Sequence, residues 1–225
     1  MQGLIGRKIG MTQVFEEDGR AVPVTVLEAG PCPVVCVRTA EKDGYAAWQL
    51  AFDEVPEKVA ARKLNRPQLG HLKKHGIAPH RVLREIRTET PVDPGQVLDV
   101  SIFSVGDRVD VIGTTKGRGF QGVVKRHGFS GGPKTHGSKT GKIPGSIGMS
   151  AYPARVIKGK KLPGQMGNQR HTIRNLKIVR IDRDRNLLLV RGAVPGARHT
   201  LVLVQKRDAG PLPAAETAEQ SEKKG

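Results

Sequence analysis

The chain has 225 residues, with 38 Lys and Arg against 21 Asp and Glu, so its formal net charge is +17. Two cysteines exclude a disulfide scaffold, and no apolar run reaches the roughly 18 to 20 residues of a membrane span. Because the first residues also lack the apolar stretch of a signal peptide, we expect a soluble cytosolic protein with a polyanionic partner.

Short runs rich in β-branched residues, bounded by Gly, Pro, Asn and Asp, predict β-strands on both sides of a glycine-rich middle. The predicted strands are 22–27, 34–38, 46–52, 97–103, 108–112, 176–181, 186–190 and 200–204. Residues 181–186 are predicted to form the hairpin loop between two of them. Many short strands with little helix predict a mainly β fold, a small closed barrel.

Helix signals are confined to one region of the chain, about 55–80. Pro56 suits the first turn of a helix over 57–64, which Asn65 and Pro67 end. A second short helix is predicted over 68–75, ending at Gly76. Because predicted strands flank both helices, we expect a short helical insertion in the barrel.

The positive charge is concentrated in one stretch. Residues 1–110 hold 15 basic and 15 acidic residues, residues 182–225 hold 8 and 6, and residues 111–181 hold 15 basic residues and no acid. Like charges on a compact surface repel one another, so this stretch needs an outside balance. A polyphosphate supplies that balance, and the release of its counterions drives binding.

The same stretch is rich in glycine, since 14 of the 28 glycines lie in residues 113–170. A segment of Gly, Lys and Arg with few large apolar residues does not build a packed core. We therefore predict an extended arm over 125–161 that is ordered by a nucleic acid. The globular barrel domain is predicted over 1–124 and 162–207, and a disordered tail over 208–225. As a hairpin, each limb of the arm would reach about 60 Å at ~3.3 Å per residue.

The candidate RNA-binding residues lie in and beside the arm. Contacts to phosphates are predicted for the basic residues Lys116, Arg118, Lys125, Arg126, Lys134, Lys139, Lys142, Arg155, Lys158, Lys160, Lys161 and Arg170. Stacking on unpaired bases is predicted for His127, Phe129, His136 and Tyr152, whereas Phe120 either stacks or anchors the arm. Close approach of the backbone to RNA is predicted at Gly117, Gly119, Gly122, Gly145 and Gly148.

Other motifs point to different chemistry and are weaker. Gly117-Arg-Gly-Phe-Gln-Gly122 fits a dinucleotide-binding pattern, but the following residues are a poor helix start and the next acid is Asp182. No cofactor is therefore expected. Cys32 and Cys36 lack the further ligands of a zinc site and are predicted to be strand side chains on the same face.

The histidines suggest neither a metal site nor catalysis. His71, His75 and His80 have basic neighbours, so a surface or RNA-facing role is expected rather than a metal. His127 and His136 lie in the acid-free stretch, where no local carboxylate orients a catalytic imidazole. We expect no catalytic residue and therefore no enzyme.

One gapless pattern resembles a known family. The stretch Phe103-x6-Asp110-x2-Gly113-x-Thr115-x-Gly117-Arg-Gly-x2-Gly122-x3-Arg126 is similar to the signature of bacterial-type large-subunit ribosomal protein number three, the universal uL3 family. Residues 6–12, 144–148, 158–161, 164–167 and 186–196 also agree with that family. The resemblance covers about residues 1–207.

The resemblance implies a translation-protein-type β-barrel and a long loop that penetrates the large-subunit RNA. It implies a structural constituent that binds 23S rRNA near its 3′ end and nucleates assembly, beside large-subunit proteins fourteen and nineteen. The loop tip, with Ser146, Ile147, Met149 and Ser150, would approach the peptidyl transferase centre. A ribosome-bound cytoplasmic protein is implied, with no membrane, small-molecule substrate or homo-oligomer.

One departure from the family pattern and one alternative function accompany this resemblance. Some bacterial members of the family carry a methylated Gln where this chain has Met149, so that modification does not apply. The alternative function is a free RNA chaperone or regulator that binds single strands without one defined site.

Overall fold

The computed structural model describes residues 2–207 and divides into two units. The barrel unit comprises the described residues up to Thr114 together with those from His171 onward, and the extension unit comprises Thr115–Arg170. The predicted arm, 125–161, lies within the extension unit. The predicted disordered tail, 208–225, lies outside the described residues.

The described residues form twelve strands, four α-helices and one 3-10 helix. In chain order the strands are β1 (Gly3–Phe15), β2 (Ala21–Ala29), β3 (Cys32–Arg38), β4 (Ala47–Glu54), β5 (His80–Arg87), β6 (Val97–Leu98), β7 (Arg108–Thr114), β8 (Gly119–Gln121), β9 (Gly164–Met166), β10 (Arg170–Asp182), β11 (Leu187–Arg191) and β12 (Leu201–Lys206). The helices are α1 (Ala40–Asp43), α2 (Glu57–Lys63), α3 (Arg66–Lys74) and α4 (Val123–His127), and the 3-10 helix spans Val100–Ile102.

Six strands close into a barrel in the order β1-β12-β7-β10-β11-β2. The predicted mainly β fold with a closed barrel is therefore confirmed. Inward side chains alternate along the strands, and Leu4, Leu27, Val111, Leu188 and Val204 are fully buried. The predicted hairpin between β10 and β11 is also present, with Asp182 paired to Leu187.

A second sheet of the barrel unit, in the order β5-β4-β3-β6, shares the core of the barrel. Trp48 and Ile86 lie on its core side, whereas Val35 and Ala51 pack against Leu72 of α3 on the other side. A capping box between Asn65 and Gln68 starts α3. The predicted helical insertion is thus confirmed as α2 and α3.

The structure corrects the predicted strand over 97–103. Only Val97–Leu98 is a strand, and a 3-10 helix over Val100–Ile102 follows it. The reason is local, because the carboxylate of Asp99 accepts a hydrogen bond of 2.8 Å from the backbone N–H of Ser101. That side-chain bond offers the backbone an alternative to the strand.

Two strands of the barrel unit were not predicted. Strand β1 contains Gly3, Gly6 and Gly10, which weaken its strand pattern. The glycines are needed there, since a Cβ at Gly3 or Gly6 would meet a carbonyl oxygen of the neighbouring strand. Strand β5 carries four charged residues in eight, which conceals its alternation, and it begins at His80, the predicted end of the insertion.

The two cysteines do not share a face, so that prediction is wrong. The register of β3 against β4 shifts between Val34 and Cys36, and this bulge reverses the alternation. The Cys32 thiol is buried in the core and contacts the carbonyl oxygen of Ile5 at 3.4 Å. The Cys36 thiol instead contacts Oε1 of Gln49 at 3.4 Å.

Candidate nucleic-acid interface

The extension unit is a polycation with almost no core. It holds twelve Lys and Arg and no Asp or Glu. Val123 is the one buried residue among 115–170. Apart from the half-buried Arg126, its cationic side chains therefore lie in water, where no carboxylate of the same unit neutralises them. Such a surface attracts a polyanion over a Debye length.

Backbone hydrogen bonds close the two ends of this unit into a stem. Strands β8 and β9 pair antiparallel, with Gly119 opposite Met166. Thr115 donates to the Gln169 carbonyl at 2.9 Å, and Asn168 donates to the Thr115 carbonyl at 3.2 Å. Gly167 has a φ of 73°, and a Cβ there would meet the Lys116 carbonyl oxygen. The stem therefore holds residues 122–163 as one closed loop.

Helix α4 follows the stem and carries the second fastening of the loop. Arg126 donates from Nη1 to the Leu162 carbonyl at 2.7 Å, and Nε2 of His127 lies 3.0 Å from the same oxygen. We call these three residues the clamp. The expectation that no helix follows Gly122 is wrong, since five residues there are helical. The other requirement of a dinucleotide site is still unmet, because the next acid in the sequence is Asp182.

Beyond the clamp, turns rather than regular elements shape residues 128–161. Gly132 donates to the Gly141 carbonyl at 3.3 Å, which draws two parts of the loop together. They border an open pocket of about 480 Å³, with Phe129 and Ile143 on its wall. The ring centroids of His127 and Phe129 are 6.2 Å apart. The pocket lining thus combines one planar side chain, that of Phe129, with glycine backbone.

The predicted tip exposes apolar side chains to water. Ser146 donates from Oγ to the Gly148 carbonyl at 2.9 Å and thereby fixes a turn. Ile147, Met149 and Tyr152 are exposed, and Tyr152 has 88% of its surface free. Burial of such side chains against a partner would remove apolar surface from water.

The structure places the predicted site residues in two groups. Exposed side chains belong to Lys116, Arg118, Lys125, Lys134, His136, Lys139, Lys142, Tyr152, Arg155, Lys158, Lys160, Lys161 and Arg170. Arg126, His127 and Phe129 are half-buried, and the first two contact Leu162. Phe120 is 75% exposed.

The five predicted glycines all lie at the surface. Nothing lies within 4 Å of the position of a Cβ at Gly119, Gly122 or Gly145. Gly119 and Gly145 adopt φ values of 67° and 77°, which L side chains rarely adopt. Backbone at these positions is therefore open to a close partner.

Sequence reasoning missed the basic residues of β10 in the barrel unit. Arg174, Lys177 and Arg180 are exposed along this strand, and Arg108 donates to Oδ1 of Asn175 at 3.0 Å. The signal was present, because the acid-free stretch runs to residue 181. Lys177 and Arg180 were interpreted only as part of the predicted strand 176–181, and Arg174 lies before it.

The histidines near α3 have structural contacts. Nε2 of His71 lies 2.6 Å from Oε1 of Gln49, and burial, helped by the charge of His75, lowers the pKa of His71. His80 is buried and contacts the Ala78 carbonyl, so the surface or RNA-facing role is wrong for it. Among residues 2–207, no group of three or more His, Cys, Asp and Glu could hold a metal ion.

No helix in the described part of the chain is long and apolar enough to cross a membrane. What remains is a closed β-barrel unit and an exposed, acid-free extension with planar side chains and open glycines. This combination defines a class, the proteins that bind a nucleic-acid backbone through a basic extension.

Comparison with known proteins narrows the class. Residues 85–186 match the family described as Ribosomal protein L3. The chain is 53% identical over 206 residues to the large ribosomal subunit protein uL3 of Heliobacterium modesticaldum, covering 91% of this chain and 96% of the relative. It is 54% identical over 211 residues to that of Thermotoga maritima, covering 93% and 99%. The chain belongs to the ribosomal protein L3 family, which confirms the resemblance seen in the sequence.

Proposed function

We propose that this chain is a structural constituent of the large ribosomal subunit and that its extension unit binds 23S rRNA. One observation carries the proposal. Twelve cationic side chains and no carboxylate lie on a unit with a single buried residue. Such a unit gains little from packing on itself, whereas each phosphate it neutralises releases counterions. The relatives of the chain are named as large ribosomal subunit proteins, which supports the same assignment.

Recognition in this proposal rests on shape. The exposed lysines, such as Lys134, Lys139 and Lys142, contact phosphates of folded RNA. His136 and Tyr152 stack on unpaired bases, and the open glycines let the backbone approach the RNA. Arg126 keeps its place as a phosphate contact, because a guanidinium has five N–H donors and the bond to Leu162 uses one.

The finer assignments follow from the family. The chain binds near the 3′ end of 23S rRNA, nucleates assembly and lies beside large-subunit proteins fourteen and nineteen. Its loop, residues 125–161, extends toward the peptidyl transferase centre, with Ser146, Ile147, Met149 and Ser150 at the tip. It supports RNA there without chemistry of its own, on ribosomes in the cytoplasm.

Footprinting of the RNA tests this proposal. Large subunits are reconstituted with the wild-type chain and with a Lys134→Ala, Lys139→Ala, Lys142→Ala variant, and hydroxyl-radical cleavage of 23S rRNA is mapped. We expect one defined set of protected nucleotides that the variant loses in part. A matched control, Lys58→Ala, Lys63→Ala, Lys73→Ala, removes three exposed lysines of α2 and α3 and should keep the full footprint.

Two results would contradict the proposal. A control variant that loses the same protections would mean that total charge, not the extension, sets binding. Protection scattered over many single-stranded sites would instead favour a free RNA chaperone.

A further inference from the structure

One edge of the barrel unit lacks a neighbouring strand. Strand β1 pairs with β12 over Gly3–Arg7, and Lys8 still exchanges backbone hydrogen bonds with Thr200 and His199. From Gly10 to Phe15 it pairs only with β2. No strand in the described part of the chain covers its other side. Alternate N–H and C=O groups of this segment therefore point to an open edge.

This edge lacks two of the usual protections against strand pairing, although an irregularity of β1 between Lys8 and Gly10 precedes it. The segment 10–15 reads Gly-Met-Thr-Gln-Val-Phe, with no charge and no proline. Met11 and Phe15 are 52% and 67% exposed and lie on one face, opposite Thr25 and Ala21 of β2. The edge thus offers main-chain hydrogen bonds together with an apolar strip, which is what an added strand requires.

An acidic turn lies at the end of the same edge. Glu16, Glu17 and Asp18 follow Phe15, and the turn is fixed by the N–H of Gly19 donating to the Glu16 carbonyl at 2.9 Å. None of these three carboxylates forms an ion pair within residues 2–207. Three adjacent negative charges repel phosphates, so this part of a +17 protein does not suit RNA.

We propose that the edge over 10–15 is a docking site for an extended strand of a second, basic protein. The strand adds to the sheet beside β1, with apolar side chains over Met11 and Phe15 and Lys or Arg next to Glu16, Glu17 and Asp18. This inference rests on the proposed function in one respect, namely that the chain meets its partner in the large subunit.

The test places a photo-reactive group at the edge. The full chain with Phe15→p-benzoylphenylalanine is assembled into large subunits, which are purified and irradiated, and adducts are sequenced by mass spectrometry. Val105→p-benzoylphenylalanine is the matched control, an exposed apolar residue elsewhere in the barrel unit. Amide hydrogen exchange of residues 11–15 is measured for the free chain and in the subunit.

We expect one adduct at position 15, on a Lys- or Arg-rich extended segment of a basic protein, and a different product or none at position 105. Exchange over 11–15 should slow about tenfold or more in the subunit. Combining the label with Glu16→Gln, Glu17→Gln and Asp18→Asn should lower the adduct yield several-fold, because the charge attraction is lost.

An adduct on 23S rRNA or on a second copy of the chain would overturn the docking proposal, as would unchanged exchange over 11–15. Failure of the labelled chain and of the wild type alike to enter subunits would be a different result. It would refute the proposed function, and the docking inference with it.

Discussion

Lys8 is a nearly buried cation that holds a loop through backbone carbonyls. Its Nζ donates to the Val194 carbonyl at 2.7 Å and to the Gly196 carbonyl at 3.2 Å. Thr25 fixes the start of the same loop by donating from Oγ1 to the Gly192 carbonyl at 2.6 Å. The segment between β11 and β12 thus has its polar groups satisfied by side chains of β1 and β2, as buried carbonyls require.

Replacement of this lysine should therefore be costly. Lys8→Met keeps most of the apolar stem and leaves two carbonyls without their donor, so the free energy of unfolding should fall by about 2 to 3 kcal/mol. Urea unfolding followed by circular dichroism measures it. Lys58→Met, at an exposed position of α2, is the control and should change stability little. Equal stability of the two variants would show that Lys8 does not anchor the loop.

The buried thiol of Cys32 makes the free energy of unfolding depend on pH in the alkaline range. Burial raises the pKa of Cys32 from 9.0 to about 12, although the bond to the Ile5 carbonyl opposes the rise. Between these values the unfolded chain loses this proton and the folded chain keeps it. The buried thiol therefore makes its full contribution to the free energy of unfolding below pH 9. As the pH rises above 9, that contribution falls by about 1.4 kcal/mol per pH unit.

The Cys32→Ala variant should not show this loss. Urea unfolding at several pH values between 9 and 11 should give a shallower decline for Cys32→Ala than for the wild type. Cys36→Ala is the control because Cys36, unlike Cys32, lies partly at the surface. Burial raises the pKa of the Cys36 thiol as well. Parallel curves for wild type and Cys32→Ala would contradict the burial of an un-ionised thiol.

At the scale of elements, the sequence was informative where apolar residues alternate and failed where another force decides. Strands such as β2 and β12 were predicted because β-branched residues mark them. Strand β1 was missed because its glycines serve close strand contact, which only the folded sheet shows. The 3-10 helix was missed because Asp99 changes the local hydrogen bonding.

The candidate nucleic-acid interface was likewise predictable only in part. Net charge and the acid-free stretch predicted a basic extension, since composition is visible in the sequence. The clamp was not predictable, because it depends on Arg126 and Leu162 meeting across 36 residues. The open edge of β1 was equally hidden, because it depends on where β12 stops pairing.

The clamp gives a prediction for the extension unit. Arg126→Ala removes the donor to Leu162, and the half-buried charged bond is worth about 1.5 kcal/mol at the lower end of its range. Amide exchange near residues 160–164 should therefore speed up by about tenfold. Lys125→Ala, an exposed neighbour on the same helix, should leave exchange unchanged. Equal effects of the two variants would mean that the contact between Arg126 and Leu162 does not hold the loop.

In the molecule as a whole, the buried apolar core and the excess positive charge lie in different parts of the chain. Among residues 2–207, all buried apolar residues except Val123 lie in the barrel unit. The extension unit contributes cations and few packed side chains. The core and the excess charge of the described chain are therefore carried by different units.

Deletion of 125–160 with a short Gly-Ser bridge should therefore leave a folded barrel. We expect cooperative thermal unfolding with a midpoint within about 4 °C of the full chain, since none of the deleted residues is buried. Circular dichroism and calorimetry measure it. Loss of cooperative unfolding would mean that the barrel core depends on the deleted residues.

Sedimentation tests whether the chain is an integral part of the large subunit. Ribosomes from cells that express the tagged chain are separated on gradients at low and high salt, and the fractions are probed for the tag. We expect the chain to sediment with large subunits under both conditions. Contacts made by charge alone weaken steeply, by about a thousandfold or more between 50 and 200 mM salt. A chain that stays at the top of the gradient, or leaves the subunits at high salt, would not be an integral component of the large subunit.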